Sequence, residues 1–396
     1  MKFFNTNIDK SKYFIAHYSI ETNKGFFLNK ACWELAIGQS VGNPNIRNKW
    51  ETDELYEKSS CVIMHEEEEL KNLSKGNIKI AFPIVNNNWE EDGISQLLCM
   101  VMGGQMDIST FKSCRLNKLE FPKNIQEKFL GPKYGVEGLR KFTGQKNKPF
   151  SGAIIKPKTG FSPTTLLNMV KELADGGVDF IKEDEILSNP NFCKLEERVK
   201  IISKYLKNCG RNIVYSFCIN GDHNKVLERA KLVAEFGGNG VHINFWSGLG
   251  VYNAIRKLDL PIYIHFQKSG DKVITDKRHA FGIDWNVICH LAAISGVDTI
   301  HAGMWGGYLS DDEKDLRDNL KILISNNVMP ALSCGMHPGL VQTIIKKFGN
   351  DFIANVGGAI HGHPMGTLAG AKAMRQSIDK THGDEYELAI KTWGLI

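Results

Sequence analysis

The order of apolar and polar positions divides this chain of 396 residues into two regions. In residues 1–130, alternating apolar positions predict strands and longer apolar stretches predict helices, a mixture that indicates an α+β domain. The strands are predicted at 13–20, 59–65, 77–85 and 115–121, and the helices at 26–37 and 95–102. The acidic run Glu66–Glu69, between two of these strands, is interpreted as a solvated hairpin turn.

From residue 131 onward, short apolar runs alternate regularly with helical stretches of about 10–18 residues. The strands are predicted at about 151–156, 178–182, 212–218, 239–245, 261–266, 298–302, 329–333 and 352–357. The helices are predicted at about 163–176, 193–207, 223–237, 249–258, 280–295, 313–326, 338–348 and 364–380. Eight such units in about 250 residues favour a closed barrel over an open sheet. We therefore predict an α/β fold: an N-terminal α+β (ferredoxin-like) domain over 1–130 and a C-terminal TIM (β/α)8 barrel over 131–396.

Composition narrows the class of partner. The net charge of +5 is mild and interspersed, which argues against a nucleic-acid partner and suits an anionic small substrate. Nine cysteines occur without a CxxC pair, so we expect reduced thiols and a cytoplasmic protein. The first residues lack the apolar run of a signal peptide, and no apolar window is long enough to predict a membrane span.

The end of the second predicted barrel strand carries a cluster of charge, Lys182-Glu-Asp184-Glu185. Such a cluster is costly unless the charges pair or bind a cation, and its carboxylates offer the oxygen ligands that Mg2+ prefers. A solvated loop is the alternative interpretation. Because TIM-barrel chemistry lies at the carboxyl ends of the strands, the other strand ends bear on the choice.

Five further strand ends carry residues suited to chemistry. Lys156 and Lys158 follow the first strand, and a lysine near other cations can act as an acid or base. His265 and His301 end the fifth and sixth strands and could orient hydroxyl or phosphate groups, or be structural. The last two strands end in Ser333, Gly335, Gly357 and Gly358. The glycines would let a phosphate approach the backbone N–H groups, or they could simply form tight turns.

Taken together, these motifs resemble the large subunit of RuBisCO. The matching segments are GPKYGVEGLRK at 131–141, KPKTGFS at 156–162, GGVDFIKEDE at 176–185, the histidine at 265, IHAG at 300–303, SCG at 333–335 and GGAIHGHP at 357–364. The resemblance implies that CO2 carbamylates Lys182 and that this carbamate, Asp184 and Glu185 hold one Mg2+ per subunit. It also implies a homodimer whose active site is shared with the partner's N-terminal domain.

Several positions depart from the carboxylase pattern. Tyr308 replaces the lysine that the family places on CO2, and Phe266 replaces the arginine that binds a second phosphate. The segment 37–44 lacks the family's catalytic Glu and its Thr-Trp pair, and Met100 stands near the family's metal-side Asn. These changes indicate a RuBisCO-like protein that retains enolisation and does not fix CO2.

The resemblance leaves the reaction open between several chemistries. An Mg2+-dependent lyase that forms an enolate by decarboxylating a 3-oxo sugar-acid phosphate, of the 3-oxo-isoapionate 4-phosphate type, is favoured slightly. An isomerase or enolase of 5-methylthioribulose 1-phosphate or a related methionine-salvage intermediate is the first alternative. The salvage enolases place their catalytic lysine where this chain has Gly104, and they lack the Lys156-Pro-Lys158 motif. A non-catalytic binding protein is the second alternative.

Overall fold

The computed structural model describes residues 3–396. The chain forms two compact units. The first comprises the chain up to Phe129 together with Gly270–Leu291, and the second comprises Leu130–Ser269 with Ala292–Ile396. The segment 270–291, which the sequence analysis assigns to the barrel domain, therefore groups with the first unit.

The strands and helices of this part of the chain follow the order of the sequence. The strands are β1 (Tyr13–Thr22), β2 (Val62–Ile63), β3 (Lys75–Pro83), β4 (Phe111–Glu120), β5 (Phe150–Ile154), β6 (Phe180–Lys182), β7 (Val214–Cys218), β8 (Gly240–Asn244), β9 (Tyr263–Gln267), β10 (Phe281–Ile283), β11 (Thr299–Gly303), β12 (Met329–Leu332) and β13 (Ile353–Val356). The helices are α1 (Leu28–Gly38), α2 (Asp53–Ser59), α3 (Glu67–Leu70), α4 (Gly93–Val101), α5 (Lys123–Gln126), α6 (Gly135–Thr143), α7 (Pro163–Asp175), α8 (Leu195–Asn208), α9 (His223–Glu235), α10 (Gly250–Lys257), α11 (Lys272–Thr275), α12 (Trp285–Ile294), α13 (Glu313–Ser325), α14 (Val341–Phe348), α15 (Gly358–His361), α16 (Thr367–Asp379) and α17 (Asp384–Trp393).

The second unit is a closed barrel of eight parallel strands, in the order β5, β6, β7, β8, β9, β11, β12 and β13 around the ring. Helices follow the strands, so the predicted TIM barrel is confirmed. Inward-facing side chains near the strand starts form an apolar floor: Phe150, Phe180, Val214, Tyr263, Met329, Ala331 and Ile353, joined by Leu139. Because successive inward positions are two residues apart, the polar residues further along each strand face the opposite, carboxyl end.

The first unit is an α+β fold built on a five-stranded sheet, in the order β10, β4, β1, β3, β2. β1 pairs antiparallel with β3 and β4, and β10 pairs parallel with β4 from Phe281 to Ile283. The predicted N-terminal α+β architecture is confirmed. No helix within residues 3–396 combines the length and apolar character needed to cross a membrane.

Three local predictions are corrected by the structure. The strand predicted at 59–65 shrinks to Val62–Ile63, because α2 extends to Ser59. The acidic run predicted as a turn forms the short helix α3, whose first-turn acids suit a helix start and whose Leu70 is buried. The helix predicted over 280–295 starts only at Trp285, because Phe281–Ile283 joins the sheet.

Candidate active site at the carboxyl end of the barrel

A cavity of about 530 Å3 lies at the carboxyl ends of the barrel strands, within the second unit. Nine of the eleven predicted site residues line it: Lys156, Lys158, Asp184, Glu185, His301, Ser333, Gly335, Gly357 and Gly358. The other two, Lys182 and His265, are buried and do not line the cavity, but each lies two residues before a lining residue, Asp184 and Gln267 respectively. The strand ends therefore converge on one cavity, as the barrel topology requires.

The acidic end of this cavity lies just beyond the end of β6. Lys182, the last residue of that strand, is fully buried, and its Nζ lies 3.7 Å from Glu185 Oε2. That Nζ has no hydrogen-bond partner among the described residues. Lys156, arriving from the end of β5, donates a hydrogen bond of 2.5 Å to Asp184 Oδ2. Each of the two carboxylates, Asp184 and Glu185, thus has one lysine ammonium beside it.

At this end of the cavity, burial and the neighbouring charges shift the pKa values of Lys182 and Glu185 in opposite directions. Burial lowers the pKa of Lys182, although the neighbouring Glu185 and Asp184 oppose that effect. Burial alone would raise the pKa of Glu185, but the charge of Lys182 and a hydrogen bond from Ser269 lower it overall. Glu185 is therefore held as an anion, while the buried amine of Lys182 is driven towards its neutral form.

Two side chains, one at the end of β9 and one just beyond it, hold the Glu185 carboxylate in place. Ser269 Oγ donates to Oε1 at 2.7 Å, and Gln267 Nε2 donates to Oε2 at 3.3 Å. Asn220 fixes the backbone of the same residue by donating to the Glu185 carbonyl at 2.6 Å. Sequence reasoning missed all three residues, because a polar side chain after a strand carries no signal of its own.

The donor set at this end fits a magnesium ion only if Lys182 contributes an oxygen. No group of three His, Cys, Asp or Glu side chains suited to a metal occurs within residues 3–396, and this end of the cavity offers two carboxylates. A carbamate on Lys182 Nζ, which makes no hydrogen bond to any described residue, would supply a third oxygen ligand. Three anions, the Lys156 ammonium and Mg2+ would then sum to zero net charge.

A buried ion pair between Glu183 and Arg198 lies behind the candidate metal-binding residues Lys182 and Asp184. Glu183 faces away from the barrel interior and accepts hydrogen bonds from Arg198 Nε at 2.9 Å and Nη2 at 3.1 Å. The Tyr215 hydroxyl and the Cys218 backbone N–H also donate to this carboxylate. Because Glu183 lies between Lys182 and Asp184, the ion pair fixes the backbone that carries both.

The two predicted histidines occupy different depths. His301 lines the cavity, and its Nε2 lies 2.8 Å from Ser333 Oγ. Burial, with help from the charge of Lys268, lowers the pKa of His301 to about 3, so its ring is neutral at pH 7. His265 is buried, lies 2.8 Å from the Thr299 hydroxyl and does not line the cavity. It is therefore less well placed than His301 to contact a substrate directly.

The opposite wall is formed by the glycine-rich ends of β12 and β13. A side chain on Gly357 would lie 3.1 Å from Lys156 Cε, and one on Gly335 would lie 2.5 Å from the Tyr308 backbone nitrogen. At Gly335 the φ of +112° also favours glycine. Gly358 has open space where a side chain would stand. Glycine at 335 and 357 therefore makes room for neighbouring parts of the chain, whereas at Gly358 the backbone is open to a ligand.

Positions 266 and 308, where the resemblance leads us to expect cations in a carboxylase, carry aromatic side chains here. Phe266 is fully buried and stacks on Tyr252, with 4.7 Å between ring centroids, so it offers no charge to a ligand. Tyr308 lines the cavity and is 80% exposed. Further lining residues that the sequence did not point to are His337, Asn355 and Trp393.

Known families account for both units of this barrel protein. The model of the ribulose bisphosphate carboxylase large chain, catalytic domain, matches residues 135–326 and 319–391. The model of the corresponding N-terminal domain matches residues 3–125. The closed parallel barrel, with its cavity at the carboxyl ends of the strands, places this chain among the α/β-barrel proteins. Within that class, the chain belongs to the RuBisCO large-chain family.

Relatives include both carboxylases and a carboxylase-like protein. The chain is 33% identical to the ribulose bisphosphate carboxylase of Pyrococcus furiosus, over 96% of this chain and 94% of that one. It is 30% identical to a ribulose bisphosphate carboxylase-like protein of Archaeoglobus fulgidus, over 94% and 88%. Its structure matches the octameric Rubisco of Pyrococcus horikoshii with a TM-score of 0.91 at 28% identity, over 99% and 96%.

Proposed function

We propose that the protein is an Mg2+-dependent RuBisCO-like enzyme that forms an enolate from a sugar monophosphate and does not fix CO2. The observation that carries the proposal is the cluster in which Lys156 donates to Asp184 beside the buried Lys182, whose Nζ makes no hydrogen bond within residues 3–396 and lies near Glu185. Lys182 as its carbamate, Asp184 and Glu185 would hold the ion. Bound there, Mg2+ would act as a Lewis acid that polarises the substrate carbonyl and hydroxyl oxygens.

The chain's own residues would divide the remaining work. Lys156, about one-third exposed at the cavity wall, would protonate or deprotonate the reacting carbon. The exposed Lys158 and the neutral His301 would orient the hydroxyl or phosphate groups. Ser333 and the backbone of Gly335, Gly357 and Gly358 would bind one phosphate.

Among enolate-forming reactions, decarboxylation of a 3-oxo sugar-acid phosphate, such as 3-oxo-isoapionate 4-phosphate, is the one we favour. The carbon–carbon bond to the carboxylate breaks, CO2 leaves, and the bonding electrons pass into the enolate. Lys156 then supplies the proton that converts the enolate carbon into the product C–H bond. This sequence needs neither a cation at position 308 nor one at position 266, which agrees with Tyr308 and Phe266.

A direct assay tests this function. The protein, incubated with MgCl2, bicarbonate and 3-oxo-isoapionate 4-phosphate, is expected to release CO2. Lys182→Ala is expected to lose this metal-dependent release, whereas the matched control Lys200→Ala, at a half-exposed lysine on α8, retains it. Full CO2 release by Lys182→Ala would contradict the assigned metal site. Isomerisation of 5-methylthioribulose 1-phosphate, followed by proton NMR in deuterated buffer, would instead identify the protein as an isomerase or enolase.

Carboxylation of ribulose 1,5-bisphosphate is the second candidate, because relatives at 30–33% identity bear the carboxylase name. The proposal expects no incorporation of radiolabelled CO2 into acid-stable product. Incorporation that depends on both Mg2+ and Lys182 would overturn it and establish carboxylase activity.

A further inference from the structure

Asn355 on β13 is a buried amide that the proposed chemistry leaves unused. It is 1% exposed, it lines the cavity, and neither Oδ1 nor Nδ2 has a hydrogen-bond partner in the described part of the chain. Leaving a buried polar atom unsatisfied costs about 1–3 kcal/mol. An amide retained at such a position therefore requires a partner from outside the chain.

The surroundings of Asn355 direct this amide towards the cavity. Asn355 pairs with Gly152 in the barrel register, and a side chain on Gly152 would lie 3.2 Å from Asn355 Oδ1. A side chain on Gly152 would also lie 2.4 Å from Ile353 Cγ2, so the glycine lets β13 pack closely against β5 at this register. Gly357, two residues further along and on the same inward side, lies against Lys156. The amide thus lies at the cavity wall beside Gly152, two residues before the position that contacts Lys156.

We infer that Asn355 is a substrate-binding residue that recognises a hydroxyl group on the carbon chain of the substrate. An amide presents an acceptor oxygen and donor N–H groups side by side, and a hydroxyl complements both. An apolar substituent would satisfy neither atom, and a phosphate oxygen would satisfy only the donors. The inference rests on the proposed function and refines its substrate class to a polyhydroxylated chain that carries one phosphate.

Calorimetric titration of the Mg2+-loaded, bicarbonate-treated protein tests this role with two probes, D-ribitol 5-phosphate and inorganic phosphate. The near-isosteric Asn355→Leu removes the amide and keeps its volume. We expect the affinity for ribitol phosphate to fall about 5- to 20-fold, as for the loss of one or two neutral hydrogen bonds. The affinity for inorganic phosphate should stay within about twofold, because no anion contact is removed.

Ser203→Ala provides the control, because Ser203 also has a buried hydroxyl without a partner in residues 3–396 but lies on α8, away from the cavity lining. It should leave both affinities unchanged. Unchanged ribitol-phosphate binding by Asn355→Leu, or equal losses for both probes, would overturn the inference and indicate that Asn355 binds only water. Failure of the wild-type protein to bind either probe would instead contradict the sugar-phosphate function itself.

Discussion

At the scale of single residues, burial separates the lysines of the cavity. Lys156 is about one-third exposed and pairs with Asp184, whereas Lys182 is fully buried without a hydrogen bond. An ammonium buried in this way is expensive to keep, so the proposed carbamylation of Lys182 would remove an unfavourable buried cation. The sequence alone cannot rank the two lysines, because burial depends on where each strand ends.

Lys182→Met is expected to separate stability from metal binding. Methionine has a similar length but no charge to bury, so the free energy of unfolding should be equal to that of the wild type or higher by up to about 3 kcal/mol. Mg2+ binding should be lost. Urea denaturation and calorimetric titration of Mg2+ measure the two quantities. A variant that is several kcal/mol less stable would show that the Lys182–Glu185 ion pair stabilises the fold.

His301 makes stability depend on pH. Its pKa is about 3 in the folded protein against 6.5 for an ordinary histidine, so the unfolded chain binds the proton more readily between these values. Stability should therefore fall as pH drops below about 6.5. His301→Asn removes this titrating group. Between pH 7.5 and 5, the free energy of unfolding of the variant should therefore fall by about 2 kcal/mol less than that of the wild type, as measured by urea denaturation. Parallel losses in the two proteins would contradict the assignment.

At the scale of elements, the ion pair between Glu183 and Arg198 connects the end of β6 to α8. Both side chains have no exposed surface, and Arg198 also donates to the carbonyls of Cys193 and Ser188. The pair therefore fixes both the strand end that carries Asp184 and the loop that follows it. Alternation along β6 predicts that Glu183 faces away from Lys182, but it does not identify its partner.

Removing one partner of this pair should be costly. Arg198→Met leaves Glu183 buried and uncompensated, so we expect a loss of about 3–5 kcal/mol in the free energy of unfolding. The double variant Glu183→Gln/Arg198→Met should recover part of that loss. Arg211→Met, at a pair in which Arg211 is 35% exposed, should cost less than about 1 kcal/mol and serves as the control. Equal effects at the two sites would refute the argument.

At the scale of the whole molecule, periodicity predicted the barrel well because each strand is short, apolar and followed by a helix. The same reasoning correctly predicted that residues after different strands would lie together, because the carboxyl ends of parallel strands meet at one end of a barrel. Nine of these residues line one cavity. Periodicity could not place Ser269, Gln267 or Asn355, whose roles depend on contacts between distant strands. It also missed β10, because three residues beside a helix give no periodic signal.

The assembly state is also a whole-molecule prediction. The loops at the carboxyl end of the barrel expose Ile186 (58%), Phe192 (52%) and Trp246 (64%), and apolar side chains of this kind are typical of interfaces. We expect a homodimer of about 89 kDa, twice the chain mass of 44.4 kDa, or a multiple of it. Light scattering after size exclusion measures this mass. A species of 44.4 kDa that persists at high concentration would contradict the prediction.

The position of β10 has a consequence for synthesis on the ribosome. β4 is complete at Glu120, but the strand that covers its outer edge begins only at Phe281. At about 5–20 residues per second, that edge stays open for on the order of ten seconds or more while most of the barrel is being made. An uncovered strand edge can pair with another chain. Nascent chains should therefore be most prone to aggregation, and most dependent on chaperones, in the interval before residue 283 emerges.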